Sequence, residues 1–319
     1  MLKYNAPNCL SLLHMPLKPE VPRAVIGGTG FSEKATDYIT ISTDYGDVQV
    51  GHIELGGKEI HFLARHQALE VPHLVNYRAN IQALKKLDVN VVYAVSACGR
   101  LAEDVWPGHL VAVDDVDWDD LEGRVRTYAE KGVLIHAAMH DPFSDGLREY
   151  LQQAWIQSES QVRELYKDAP TLKVGYHDGG TYFNINGPSF SPPKRETRLR
   201  RDVVNAKVIG QTLVPEVHLA REMGIAYAAL GMCVDHSNFP GAPPVTHKDV
   251  MQAVEKTSIA AVYVLDNTVR FTPDNFFDEV AHNAMKYSII PSQVDLDMLR
   301  VNGRTNLALI LDQELQTRT

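Results

Sequence analysis

Four times in this chain an apolar run rich in small and β-branched residues leads into a short polar segment, and this recurrence narrows the possible folds more than any other feature. Ala24-Val25-Ile26 leads into Gly27-Gly28-Thr29-Gly30, and Phe62-Leu63-Ala64 into Arg65-His66. Val91 to Val95 leads into Ser96-Ala97-Cys98-Gly99, and Ala228 to Met232 leads toward Asp235-His236-Ser237. Strands buried on both faces read as unbroken apolar runs, and open α/β sheets bind ligands beyond the carboxyl ends of their strands. Glycine, hydroxyl, guanidinium and carboxylate groups at such ends suit a phosphate-bearing ligand. The pattern predicts an enzyme.

The intervening segments predict the rest of the architecture. Val48 to Leu55 and Glu59 to Ala64 flank Gly56-Gly57, a pair free to take positive φ, which predicts a hairpin. Val75 to Leu87 carries apolar residues at helical spacing and ends near Lys85 and Lys86, where cations suit the helix dipole. Asp145 to Leu165 reads as an amphipathic helix, and Lys248 to Asp266 as another. Between them lie expected strands near Gly180 to Ile185 and Lys207 to Ile209, a helix from about Val214 to Met223 closed by Gly224, and a strand from Ile225 to Met232. Alternating strands and helices indicate an α/β fold with a central mixed, twisted sheet flanked by helices. A single domain is expected over residues 23–287, with residues 1–22 and 288–319 as additions to it.

Composition excludes several function classes. With 319 residues, 45% of them hydrophobic, the chain has enough apolar material for a large core. No apolar stretch reaches the length of a membrane span, since Asn90 and Ser96 interrupt the longest strand-like run. Met1 to Val21 shows no secretion signal, so a cytoplasmic location is expected. The three cysteines, Cys9, Cys98 and Cys233, lack redox or metal-ligand spacing and are expected as free thiols. A net charge of −9 disfavours nucleic acid as a partner. The acidic run Asp114-Asp115 and Asp117-Trp118-Asp119-Asp120 has no second ligand cluster, so no metal is expected and the run reads as a solvated loop.

Taken singly, each polar segment has two readings. Gly27 to Gly30 is either an anion loop, with backbone N–H groups exposed by the glycines and a hydroxyl at Thr29, or a tight turn. It fits a dinucleotide fingerprint poorly, because Glu33 stands where the third glycine belongs. Arg65-His66 offers a planar fork and an imidazole, or a solvated strand end. Ser96 to Gly99 is an anion or ring-binding segment, or a turn. In Asn186 to Ser191, Phe190 either stacks on a base or anchors a loop. Asp235 is a general acid or a cap.

Together these segments resemble the 5'-methylthioadenosine phosphorylase branch of the trimeric purine nucleoside phosphorylase family. The resemblance runs in order from about Val25 to Leu265 and includes Ile26 to Gly30, Leu63 to His66, Val75 to Asn80, Ser96 to Gly99, Pro107-Gly108, Gly187-Pro188 with Phe190-Ser191, Thr212 with Val214-Pro215-Glu216, and Leu219 to Glu222. It implies phosphorolysis of a purine nucleoside, with inorganic phosphate as co-substrate and no other cofactor, giving a free base and a pentose 1-phosphate. By similarity, Thr29, Arg65, His66, the backbone of Ala97 and Thr212 hold phosphate, with Ser96 close by. Ala97, Cys98, Gly99 and Phe190 line the base pocket, and Ser191 faces it. Asp235 matches the carboxylate beside purine N7. Gln211 stands beside the ribose, where the family usually has methionine. His136 corresponds to a residue that reaches a neighbouring subunit's 5' pocket, which implies a homotrimer.

The departures cluster around base and sugar. Ser237 stands where a second carboxylate is usual, Val234 replaces a threonine, and Gln211 a methionine. The expectation is therefore a retained reaction on a 5'-modified purine nucleoside such as methylthioadenosine or a relative, with the departures shifting preference to a substrate other than methylthioadenosine or to a broader set. The alternatives are a phosphorylase for another nucleoside, including a pyrimidine one, a nucleoside hydrolase, and a non-catalytic nucleoside-binding homologue.

Overall fold

The computed structural model describes residues 22–28, 31, 35–67, 70–118, 123–189, 194–237, 239–242 and 247–318. In chain order the elements are β1 (Arg23–Gly27), β2 (Thr36–Thr43), β3 (Gly46–Leu55), β4 (Lys58–Ala64), α1 (Tyr77–Lys86), β5 (Val91–Arg100), β6 (Leu110–Val113), β7 (Asp115–Trp118), β8 (Val133–Ile135), α2 (Asp145–Leu165), β9 (Tyr176–Asp178) and β10 (Thr181–Asn184). There follow α3 (Lys194–Asp202), β11 (Val208–Gly210), α4 (Leu213–Glu222), β12 (Ala226–Asp235), α5 (His247–Phe271), α6 (Glu279–His282), α7 (Ala284–Ser288), β13 (Ile289–Val294), α8 (Leu296–Val301) and α9 (Thr305–Gln316).

All the described strands except β8 and β13 join one mixed sheet. Its centre is β5, and the pairing along β5 creates the site. On one side β12 runs parallel to it from Val91 to Gly99. On the other, β1 pairs only with Val91 to Ala94, and β11 pairs antiparallel at Gly99 and Arg100. Among the described residues, Val95 to Cys98 therefore have a strand on one edge and a gap on the other. This is a switch point in the sheet, where α/β proteins place ligands.

Alternate side chains of the central strands feed opposite faces. Ala24, Ile26, Val92, Ala94, Tyr227 and Ala229 pack on the side of α1, α4 and α9, whereas Val25, Val91, Tyr93, Val95, Ala228 and Leu230 pack beneath α2 and α5. Each fully buried aliphatic or aromatic side chain contributes about 1.5–3 kcal/mol. Polar caps fix where the flanking helices begin. Asn76 accepts from the Ala79 N–H ahead of α1, and Ser144 from that of Leu147 ahead of α2.

Three differences from the sequence expectations have clear causes. Ser96 to Gly99, open to reading as a turn, remains within β5 because β12 keeps pairing with it through Gly99. The acidic run is only partly a solvated loop. Asp115 to Trp118 form an edge strand on β10, Asp114 accepts from the Gly180 N–H at 2.9 Å, and Asp117 pairs with Arg200 at 3.0 Å. Asp119 and Asp120 lie outside the described residues. The segment after Ser288 is integrated with the core. Leu299, Leu307, Ala308 and Leu311 join the cluster beside α1, and Asp44 accepts from the Asn306 and Leu307 N–H groups at the start of α9. No helix among the described residues is long and apolar enough to cross a membrane.

Candidate active site

The gap beside β5 opens into a cavity of about 390 Å³, within the size range of small-molecule sites. Gly28, Arg65, His66, Ser96, Ala97, Cys98, Gly99, Gln211, Thr212 and Asp235 all line it, although they come from segments up to 207 residues apart, from Gly28 to Asp235. Ile185, Ile209, Val234, Pro72 and the α5 residues Val250, Met251 and Val254 complete the wall with apolar surface.

At one end Arg65 is held almost entirely out of solvent. Much of its fork is engaged within the protein. Nε and Nη2 donate to the two Glu216 carboxylate oxygens at 2.7 and 2.9 Å, and Nη1 donates to the Val95 carbonyl at 2.9 Å, the first carbonyl along the unpaired edge of β5. Tyr227 donates to the same Glu216 carboxylate at 2.5 Å. Burial on its own would lower the Arg65 pKa, but Glu216 outweighs it and the net shift is upward, so the guanidinium stays charged. A guanidinium has five N–H donors, so those left over beside Glu216 and Val95 are available to an anion. Nη1 is the nitrogen nearest Gly28, and a Cβ placed there would lie 3.3 Å from it.

His66 follows at once. Its Nδ1 lies 2.8 Å from the Glu70 carbonyl, which can only accept, so Nδ1 carries the proton and Nε2 is left for a ligand. Burial and the adjacent Arg65 charge lower its pKa. Thr212 is aligned by a buried hydroxyl chain. Ser96 Oγ lies 2.9 Å from Thr212 Oγ1 and 2.9 Å from the Tyr182 hydroxyl. Ser96, which also lines the cavity, thus holds the Thr212 hydroxyl in place.

At the other end Asp235 terminates β12. Burial raises its carboxyl above the ordinary value of 3.8, partly opposed by a 2.5 Å hydrogen bond from the Ser237 N–H to Oδ1. Gly99 makes this closeness feasible, because a Cβ there would stand 2.7 Å from Oδ1. The cavity therefore presents positive and hydroxyl donors near Val95 and Ser96, and near Gly99 a carboxyl group whose pKa burial raises.

A model of the phosphorylase superfamily matches residues 22–270 of the chain. The chain belongs to this superfamily. It is 39% identical over 263 residues to the S-methyl-5'-thioadenosine phosphorylase of Hyperthermus butylicus, covering 78% of this chain and 89% of that one. Identity to the protein of the same description from Thermofilum pendens is 37% over 250 residues, covering 75% and 87%. Among solved structures, a methylthioadenosine phosphorylase from an antarctic soil metagenomic library superposes with a TM-score of 0.78 at 28% identity, covering 92% of this chain and 100% of that one.

Not every residue named from the superfamily resemblance lies in this cavity. His136 lines two other cavities, one with His140, Arg221 and Tyr287 and another with Arg124, His218 and Glu222. Ser237 sits behind Asp235 and acts on it through its backbone N–H. Thr29, Phe190 and Ser191 lie outside the described residues. Several contributors carry no role legible in the sequence, and Glu216 stands there only within a motif. Glu216 and Tyr227 orient Arg65, and Tyr182 anchors the hydroxyl chain. Arg124 ties together the loops after β10 and β11 through Asn186, Gln211 and Val214. Glu216 lies 151 residues from Arg65, so no local pattern could have linked them.

Proposed function

We propose that this enzyme, a pentosyltransferase of the nucleoside phosphorylase type, cleaves the N-glycosidic bond of a 5'-modified purine nucleoside with phosphate. One observation supports the assignment of roles: anion donors and a carboxyl with a raised pKa line the same cavity beside β5. Phosphate binds at the remaining Arg65 N–H groups, His66 and Thr212. One of its oxygens forms a bond to C1' of the sugar as the C1'–N9 bond breaks and its electron pair passes to the base. Asp235 gives or shares its proton at purine N7, so the base leaves neutral. The products are the free base and the pentose 1-phosphate. Charge develops on both sides of C1' only in the transition state, and groups already aligned there lower the barrier.

The rigid anchoring of Arg65 by Glu216 supports this reading, because the donors meet the nucleophile without having to be reoriented. Pro72, Val250, Met251 and Val254 form an apolar wall suited to an uncharged 5' substituent such as a thioether. With Ser237 in place of a second carboxylate, the base end offers one acceptor fewer to an exocyclic amino group, which favours a broader or shifted base preference. His136 lies outside the cavity, where it would serve a neighbouring copy, and Val280 and Tyr287 beside it are exposed apolar residues suited to such an interface in a homotrimer. Incubation with a nucleoside panel, with and without phosphate, tests the assignment. Turnover should require phosphate and yield a pentose 1-phosphate. Release of base at an equal rate without phosphate would indicate a hydrolase, and light scattering that gives a monomer would remove the trimer.

A further inference from the structure

The base end of the cavity is braced from behind by a cluster outside the machinery described above. Arg100, the last residue of β5, directly follows Gly99 and is 3% exposed. Its guanidinium carbon lies 4.2 Å from the ring centre of Trp106 and 3.7 Å from that of Phe239. Nε donates to the Ala102 carbonyl at 3.3 Å and Nη2 to the Glu103 carbonyl at 3.2 Å, while Nη1 lies 3.4 Å from His236 Nδ1. A guanidinium has no acceptor, so Nη1 is the donor of that long contact. Burial and the charges of Arg100 and Lys173 lower the His236 pKa, which favours the neutral ring that accepts from it. The His236 ring also meets Trp106 edge-on at 5.7 Å.

Arg100 therefore grips His236 and Phe239, on either side of Ser237, and Ser237 supplies the N–H that fixes Asp235 Oδ1. Ser237 itself has φ of +47°, a left-handed conformation that a residue with a Cβ keeps only where its surroundings enforce it. We infer that Arg100 is a positioning residue for the leaving-group acid: stacked against Trp106 and Phe239 and donating to His236, it holds the loop after β12 in the shape that aims Asp235 at the base. The inference rests on the role given to Asp235 above. Lysine lacks the planar faces and the fork of donors, so Arg100→Lys is not conservative at this position.

The test compares wild type, Asp235→Asn, Arg100→Met, Arg100→Lys and Phe239→Leu on two substrates with phosphate. One is an ordinary purine nucleoside. The other is its N7-methylated counterpart, whose base departs neutral without taking up a proton. Arg100→Met and Arg100→Lys should lower kcat on the ordinary nucleoside by about tenfold, part of the ~10²–10⁴-fold that a general acid supplies, with the KM for phosphate unchanged. On the N7-methylated nucleoside they should leave kcat unchanged, and Asp235→Asn should lose far less there than on the ordinary nucleoside. Phe239→Leu, at a less buried position, should give a smaller loss with the same selectivity, and it keeps the test open if the Arg100 variants fold poorly. Equal losses on both substrates in the Arg100 and Phe239 variants, or no loss on either, overturn the inference when Asp235→Asn remains selective. Equal losses in Asp235→Asn overturn the role of Asp235 and this inference with it. The pH profile of kcat on the ordinary nucleoside gives an independent reading: its alkaline limb should shift in the Arg100 and Phe239 variants, and an unmoved limb overturns the inference.

Discussion

The two ends of the cavity reach their chemistry by opposite means. At the end near Arg65 a full charge is buried together with its counter-charge, Arg65 against Glu216, and the Ser96, Thr212 and Tyr182 hydroxyls are linked in a chain. At the other end the Asp235 carboxyl is shifted upward by desolvation, opposed among the described residues by the Ser237 N–H. The anion end gains rigidity from paired charges. At the end near Asp235 burial raises a carboxyl pKa, with no charged partner among the described residues. A donor set for an anion works best when fixed beforehand, whereas an acid near neutral pH needs its ionised form made less favourable.

The contrast can be broken most severely at Glu216. Glu216→Ala strands a buried guanidinium, so unfolding stability should fall by about 3–5 kcal/mol, measured by denaturant titration. A loss below about 1 kcal/mol, the range of exposed pairs, would mean that the pair is not what stabilises this end. Gly99→Ala probes the other end. The added methyl would crowd Asp235 Oδ1, and displacing a catalytic group by about 1 Å costs about 10²-fold in kcat, so steady-state kinetics should show a large fall in kcat with little change in phosphate KM. Unchanged kcat would show that Asp235 has room to move and still function.

Thr212→Val removes one hydroxyl from the anion end and leaves Ser96 with Tyr182. The KM for phosphate should rise by roughly tenfold, the equivalent of one hydrogen bond, and an unaltered KM would place phosphate elsewhere. The smallest effect is expected at His218, on the helix that carries Glu216. Burial, with the Arg126 charge, lowers this histidine to about 4, and its Nδ1 has no hydrogen-bond partner among the described residues. A histidine whose pKa is lower in the folded state adds no penalty above its unfolded value near 6.5, and stability is lost as pH falls from there through about 4. His218→Phe should flatten this acid dependence in thermal melts recorded across the range. Parallel curves for wild type and variant would count against the assignment.

Much of the fold was legible from periodicity. Asp145 to Leu165 is helical over the expected residues, and the strands around Gly56-Gly57 pair as a hairpin. Elements that depend on distant pairing were not legible. Nothing local to Ser96 to Gly99 says that β12 will carry the strand onward, and Asp115 to Trp118 read as a loop until β10 supplies an edge. Gly28, Arg65, His66, Ser96 to Gly99 and Asp235 stood out because each follows or ends an apolar run, whereas Gln211 and Thr212 were named only through the family resemblance. Their supports escaped notice because Tyr182, Tyr227 and Glu216 look like ordinary core or helix residues in the linear chain.

What the amino-acid order determined by itself is the alternation of strand and helix and the set of reactive groups at strand ends, because both follow from side-chain chemistry and short-range spacing. The protonation bias of Asp235, the closing of the Arg65 fork by Glu216, and the gap along β5 were decided only in three dimensions. Each depends on which distant segments exclude water from a group or stop short of pairing with it, and that is settled by packing across the whole sheet.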